Sequence, residues 1–174
     1  TAELAALTTD QVAALESTDI AVLTTAQVKG LTATQLGTLD TTQLNALTTA
    51  QLAALTATQL AGLTTTQIAD LTTTPYGGLT SAQIASMTTT QVAAMQSNDI
   101  AVLTTAQVKG LTAAQLGTLD TTQLNSLTTT QIGVLTTTQL RALTTTQIAD
   151  LTTTQIAGLT TAQIAALTTT QVAA

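Results

Sequence analysis

Residues 143–174 read LTTTQIAD LTTTQIAG LTTAQIAA LTTTQVAA, four copies of one eight-residue unit with nothing inserted between them. Working outward, the same frame holds along the whole chain. In steps of eight from Leu7 to Leu167, the first position is Leu everywhere except Met87 and Met95. The second is Thr except at Glu16, Asp40, Gln96 and Asp120, and the fifth is Gln except at Glu3, Asp19, Pro75 and Asp99. The sixth is aliphatic except at Tyr76. A short fixed period is the signature of a solenoid or array, in which no unit buries its own apolar face alone.

An eight-residue period fits neither a single long helix nor a flat strand. At about 100° per residue a continuous helix would carry its apolar stripe about 80° around the surface with each repeat, out of reach of any one partner. In a strand, positions 1 and 6 would point to opposite faces. One short helix per octad fits. Thr at position 2 and Gln at position 5 form the Ser/Thr-x-x-Glu/Gln capping box, in which the Thr hydroxyl accepts from the N3 amide and the Gln side chain reaches back to the N-cap amide. Leu at position 1 and Ile, Val or Leu at position 6 then stand at N′ and N4, the hydrophobic staple. This reading predicts helices of about seven residues, running from position 3 to the next Leu.

The charges sort as such helices require. Glu3, Asp10, Glu16, Asp19, Asp40, Asp99 and Asp120 fall at positions 2, 4 or 5, at the predicted helix start, where the macrodipole favours anions. Lys29, Lys109 and Arg141 fall at position 7, in the last turn, where cations are favoured. Asp70 and Asp150, at position 8, run against the rule. So short a helix is not stable in isolation, so each octad must bury its two aliphatic side chains against its neighbours. The predicted fold is all-α: a solenoid of short Thr-capped helices, one per octad, with a continuous aliphatic seam. The alternative is a Thr-rich β-solenoid.

Composition limits function. Of 174 residues 48 are Thr, 44% are hydrophobic and only 7% charged, with neither His nor Cys. That excludes zinc fingers, thiol nucleophiles and disulfide frameworks. Three basic residues against nine acidic ones cannot neutralise a phosphate backbone, so nucleic acid is excluded as a partner. The longest aliphatic runs, Ile20–Leu23 and Ile100–Leu103, are too short for membrane insertion. The carboxylates are scattered and no base accompanies the threonines, so no catalytic, cofactor or metal site is expected and the chain is read as no enzyme.

A longer period overlies the octads. Asp19–Thr49 recurs at Asp99–Thr129 with two differences, Thr34 against Ala114 and Ala46 against Ser126. Residues 1–80 and 81–160 thus read as a duplicated ten-octad block within one array, 1–174, and 161–174 as the start of a further block. Three places break the pattern. In TTTPYGGL, residues 72–79, Pro75, Tyr76, Gly77 and Gly78 suggest either a hinge or contact site that presents the sole aromatic residue, or tolerated drift in a redundant array. At Glu16-Ser17-Thr18-Asp19 and Gln96-Ser97-Asn98-Asp99 the cap is expected to move to Ser17 and Ser97. A cation site at Glu16 and Asp19 lacks the oxygen count and Gly turn of calcium loops. Met87 and Met95 read as core replacements for Leu.

The motif quoted for residues 143–174 resembles tandem LTTxQ(I/V)xx arrays of very large bacterial surface or secreted proteins, often labelled haem-utilisation or adhesion proteins. The resemblance implies an extracellular or cell-surface structural role. It lends nothing to haem binding, since His is absent and Met87, Met95 and Tyr76 read as seam residues. The leading expectation is a stalk, fibre or filament element that self-associates head to tail or laterally through an uncharged surface of Thr, Gln and Ala. The alternatives are ice or carbohydrate recognition by the Thr rows at positions 2 and 3, or a peptide-binding α-solenoid scaffold.

Overall fold

The computed structural model describes residues 2–72 and 76–173, leaving Pro75 outside the described residues. It is all-α, with one short helix in each fully described octad from Ala2–Ala5 to Thr169–Val172 and no strand among the described residues. The helices begin at position 3, where the capping box places them. At Thr32, for example, the Gln35 N–H donates to Thr32 Oγ1 at 3.1 Å and the Thr32 N–H donates to Gln35 Oε1 at 2.7 Å.

The helices are shorter than the sequence reading predicts. They span four to six residues, not seven, because the Leu at position 1 has already left the helix. Leu31 has φ −68° and ψ 141°, and Thr32 has φ −76° and ψ 158°. Two extended residues therefore make each bend, and the first must be extended if its side chain is to serve as the N′ arm of the next staple. No residue for which φ is described takes a positive value. The bend thus needs no glycine, and β-branched Thr suits the extended backbone of an N-cap.

Helices of this length leave as many backbone groups unpaired as paired, so the fold depends on what lies above and below. Each helix packs against the third one further along: Ser81–Ser86 on Thr105–Gly110, and Ala113–Gly117 on Thr137–Ala142. Side-chain bonds between turns join residues from 25 to 31 positions apart. One superhelical turn therefore takes more than three and fewer than four octads. Inside runs one apolar seam built from positions 1 and 6, including Val28 and Leu36 at 0% exposure and Leu31 at 3%. Met87 and Met95 are buried in it, as expected of Leu replacements.

Where position 8 is Gly62, Gly78, Gly110 or Gly158, it presses on position 3 of a helix one turn back. A Cβ built on Gly110 would lie 2.7 Å from the Ser81 carbonyl oxygen and 2.8 Å from Ser81 Cβ, whereas one on Gly117, at position 7, would meet only the Ala142 carbonyl at 3.4 Å. The first is a backbone collision; the second is ordinary contact. Gly110→Ala is therefore expected to destabilise by roughly 1–3 kcal/mol through overpacking. Gly117→Ala is expected to be neutral or to gain about 0.5–1 kcal/mol from the lower entropy of its unfolded chain. Thermal and urea denaturation of the two variants would check the contrast.

Candidate functional site

The feature repeated most faithfully between turns is a hydrogen-bonded joint centred on the Gln at position 5. Its carbonyl serves the capping box of its own helix, and its amide nitrogen crosses to the turn below. Gln115 Oε1 accepts from the Thr112 N–H at 2.7 Å, while Gln115 Nε2 donates to the carbonyls of Ile84 at 2.9 Å and Met87 at 2.7 Å. Those carbonyls stand at the C-terminal end of helix Ser81–Ser86; that of Ile84 also accepts the Met87 N–H at 3.2 Å, and the Gln amide takes its second lone pair. The same pattern, 31 and 28 positions back, recurs at most position-5 Gln residues from Gln35 to Gln171, while Gln43 and Gln123 reach 30 and 28 back. These side chains are buried, Gln115 to 1% exposure. Each fills its bonding capacity, and no described buried side-chain N or O lacks a partner.

Sequence reasoning assigned this Gln to capping alone. A signal for the second role was present: Glu serves a capping box as well as Gln does, yet position 5 carries Glu only at Glu3. Glu has no N–H to send to the turn below.

The two aspartates that ran against the dipole rule also belong to the joint. Asp70 and Asp150 lie at the end of their own octads but beside helix starts of the previous turn, so each sits by a favourable N-terminus after all. The Thr41 hydroxyl donates to Asp70 Oδ2 at 3.2 Å, and the Thr121 hydroxyl to Asp150 Oδ2 at 2.7 Å. Asn45 adds a clasp, donating to the Asp70 carbonyl at 3.0 Å and accepting from the Thr72 N–H at 2.8 Å. Lys29, Lys109 and Arg141 are exposed in the last turns of their helices.

The variant octads need correction. The caps do not move to Ser17 and Ser97; both residues are the first of their helices, and Glu16 and Gln96 are the N-caps. Asp19 and Asp99 hold the chain there, since a carboxylate accepts an N–H as well as an amide carbonyl does: Glu16 N–H to Asp19 at 3.0 Å, Gln96 N–H to Asp99 at 2.9 Å. The carboxylates of Glu16 and Asp19 are thus occupied locally, and Glu16 also accepts from the Thr18 hydroxyl at 3.4 Å. Tyr76 presents no aromatic surface. It is 0% exposed, and its hydroxyl donates to the Ile68 carbonyl at 2.5 Å. Burial pushes its phenol far above the usual range, with the nearby Asp99 carboxylate adding to the shift.

The model of one protein family, described as the ALTTAQ repeat, matches residues 12–49, 37–73, 92–129, 119–153 and 145–174. Its six letters stand unaltered at Ala46–Gln51. No curated protein and no solved structure matches the chain.

Two outcomes follow from the joint. Gln115→Leu removes the partner of the Thr112 amide and of the Met87 carbonyl and one of the two donors to the Ile84 carbonyl, and is expected to cost about 1–3 kcal/mol in chemical denaturation. Asp99 is buried, and desolvation raises its carboxyl above the ordinary range, opposed in part by the N–H of Gln96. The native state then holds this proton more tightly than the unfolded chain. Its contribution is full below the unfolded pKa and is lost as pH rises through the native one. In thermal melts at a series of pH values, the wild-type midpoint should fall relative to that of Asp99→Asn on crossing this window; parallel profiles would contradict the assignment.

Proposed function

The chain belongs to the ALTTAQ repeat family, and from that premise we propose that it serves as a structural element, a stalk or filament segment of a bacterial cell-surface or extracellular assembly with an adhesive role. The observation that carries the reading is the joint itself. Turns offer Gln amides on one side and helix-end carbonyls on the other, so closely similar bonding recurs between turns along the superhelix. A surface that accepts one more turn of its own kind is heterologous and non-closing, the geometry that lengthens into fibres.

Two further features support self-association. Among the position-6 side chains, Ile156, Ile164 and Val172 are 40%, 50% and 70% exposed, the seam surface on which a further turn of the array, of this chain or of a second copy, would stack. The outer surface is made largely of exposed Thr at positions 2 to 4, such as Thr136, Thr137 and Thr138, with few charges to repel a neighbour. The hydroxyls at position 2 are engaged as cap acceptors, which leaves less of the Thr row available to ice or glycans.

Negative-stain microscopy and analytical ultracentrifugation over a concentration series test the proposal. Wild type is expected to form elongated head-to-tail particles, and Ile164→Glu to shorten them sharply while its far-UV circular dichroism stays helical. Compact wild-type monomers at the highest concentration would overturn it.

A further inference from the structure

Two octads that look like unrelated defects in the sequence occupy facing positions in successive turns. Asp99 takes the place of a position-5 Gln. By the spacing that the joint keeps elsewhere, a Gln there would donate to the carbonyl 31 positions back, that of Ile68. Asp99 has no N–H with which to do so. Yet the Ile68 carbonyl is not orphaned, because the Tyr76 hydroxyl donates to it. Tyr76 is itself the sole departure from an aliphatic position 6.

The exchange is reciprocal in size and in chemistry. Asp is one methylene shorter than Gln, which leaves room in the seam for a phenol longer than Ile. Both side chains are buried, Tyr76 at 0% and Asp99 at 2% exposure. The third departure completes the set. Gln96 stands where the cap is normally Thr, and its Nε2 donates to the Ala69 carbonyl at 2.6 Å, so the amide missing from position 5 reappears at position 2. The Gln96 N–H still finds its acceptor on Asp99. Above the joint the regular pattern resumes at once: Gln107 Nε2 donates to the carbonyls of Tyr76 and Leu79, both at 2.7 Å.

We infer that Tyr76, Gln96 and Asp99 form one matched joint, a device that makes the stacking of helix Ser97–Ala101 specific to Tyr76 and helix Thr65–Asp70 in an array whose regular Gln joints are interchangeable. A regular Gln octad laid over Tyr76 crowds a longer side chain into the buried space that the phenol fills beside the Ile68 carbonyl. An Asp octad laid over a regular turn removes the Gln amide from two carbonyls, leaving the position-6 carbonyl with only the N–H of the next Leu. Both mismatches cost free energy; in the matched pair the phenol takes over the Ile68 carbonyl without that crowding. Single buried polar residues set register in coiled coils by the same asymmetry. The inference is independent of the proposed role in assembly.

Each mismatch can be made by one substitution in the full chain. Asp99→Gln and Tyr76→Ile are each expected to lower the thermal midpoint by about 5 °C or more, and the double variant, which restores the regular joint, to recover most of that loss. Additive losses in the double variant would overturn the inference. The second arm moves the joint by one octad. Gln107→Asp removes the amide donor from the carbonyls of Tyr76 and Leu79, leaving Tyr76 only the Leu79 N–H, and should destabilise. Adding Ile84→Tyr and Thr104→Gln, which place a phenol eight positions beyond that carbonyl and an amide at the cap, should restore part of the midpoint. Failure of the triple variant to exceed Gln107→Asp alone would equally count against a transferable joint.

Discussion

The structure depends on a primary amide satisfied at both ends while buried. A five-residue helix closes few of its own hydrogen bonds, so its remaining N–H groups and carbonyls need partners elsewhere. Stacking such helices in a water-free seam would be prohibitive if those groups stayed unpaired. The Gln side chain answers both demands from one position, accepting from the start of its own helix and donating to the end of a helix in the turn below. Asn would be too short to serve both, and Glu would lack the donor. The Thr hydroxyl can then take the remaining amide, and Leu and Ile can fill the space between turns.

This constraint also accounts for a composition rich in Thr and poor in charge. Polar groups in the octad are committed to backbone partners at fixed positions, and ionised side chains are stable only where a helix end welcomes them. Asp40 and Asp120 replace Thr as caps because a carboxylate accepts the N3 amide, at 2.8 and 2.7 Å. Lys29, Lys109 and Arg141 sit at helix ends facing solvent. The outer face is left to short hydroxyl side chains, which order at small entropic cost and carry no charge that must be kept from a like neighbour.

Local chemistry was legible in the sequence to a fine level. Leu31, Thr32, Gln35 and Leu36 stand where the staple and capping box put them. The error in helix length came from counting Leu as the last helical residue, when its duty to the next cap requires an extended backbone. What lay out of reach was how many octads make a turn. In a perfect repeat every offset that is a multiple of eight looks alike, so the sequence carries no mark of which octad faces which. The second bond of Gln115, to Ile84 and Met87, lies across that gap.

Tertiary information in such a chain therefore resides in its exceptions. Asp70 contradicts the rules for its own helix and is explained by Thr41 and Asn45, 29 and 25 positions away. Tyr76 contradicts the seam and is explained by Asp99, which contradicts the cap. Read one at a time, these residues look like drift. Taken as pairs, their separations fall at or just below the range from three to four octads, which is the turn of the superhelix. A reading that asked which irregular residues compensate one another, and at what common spacing, would have recovered the turn that the regular octads conceal. The same logic separates structural departures from functional ones: a departure whose lost hydrogen bond is restored one turn away belongs to the fold.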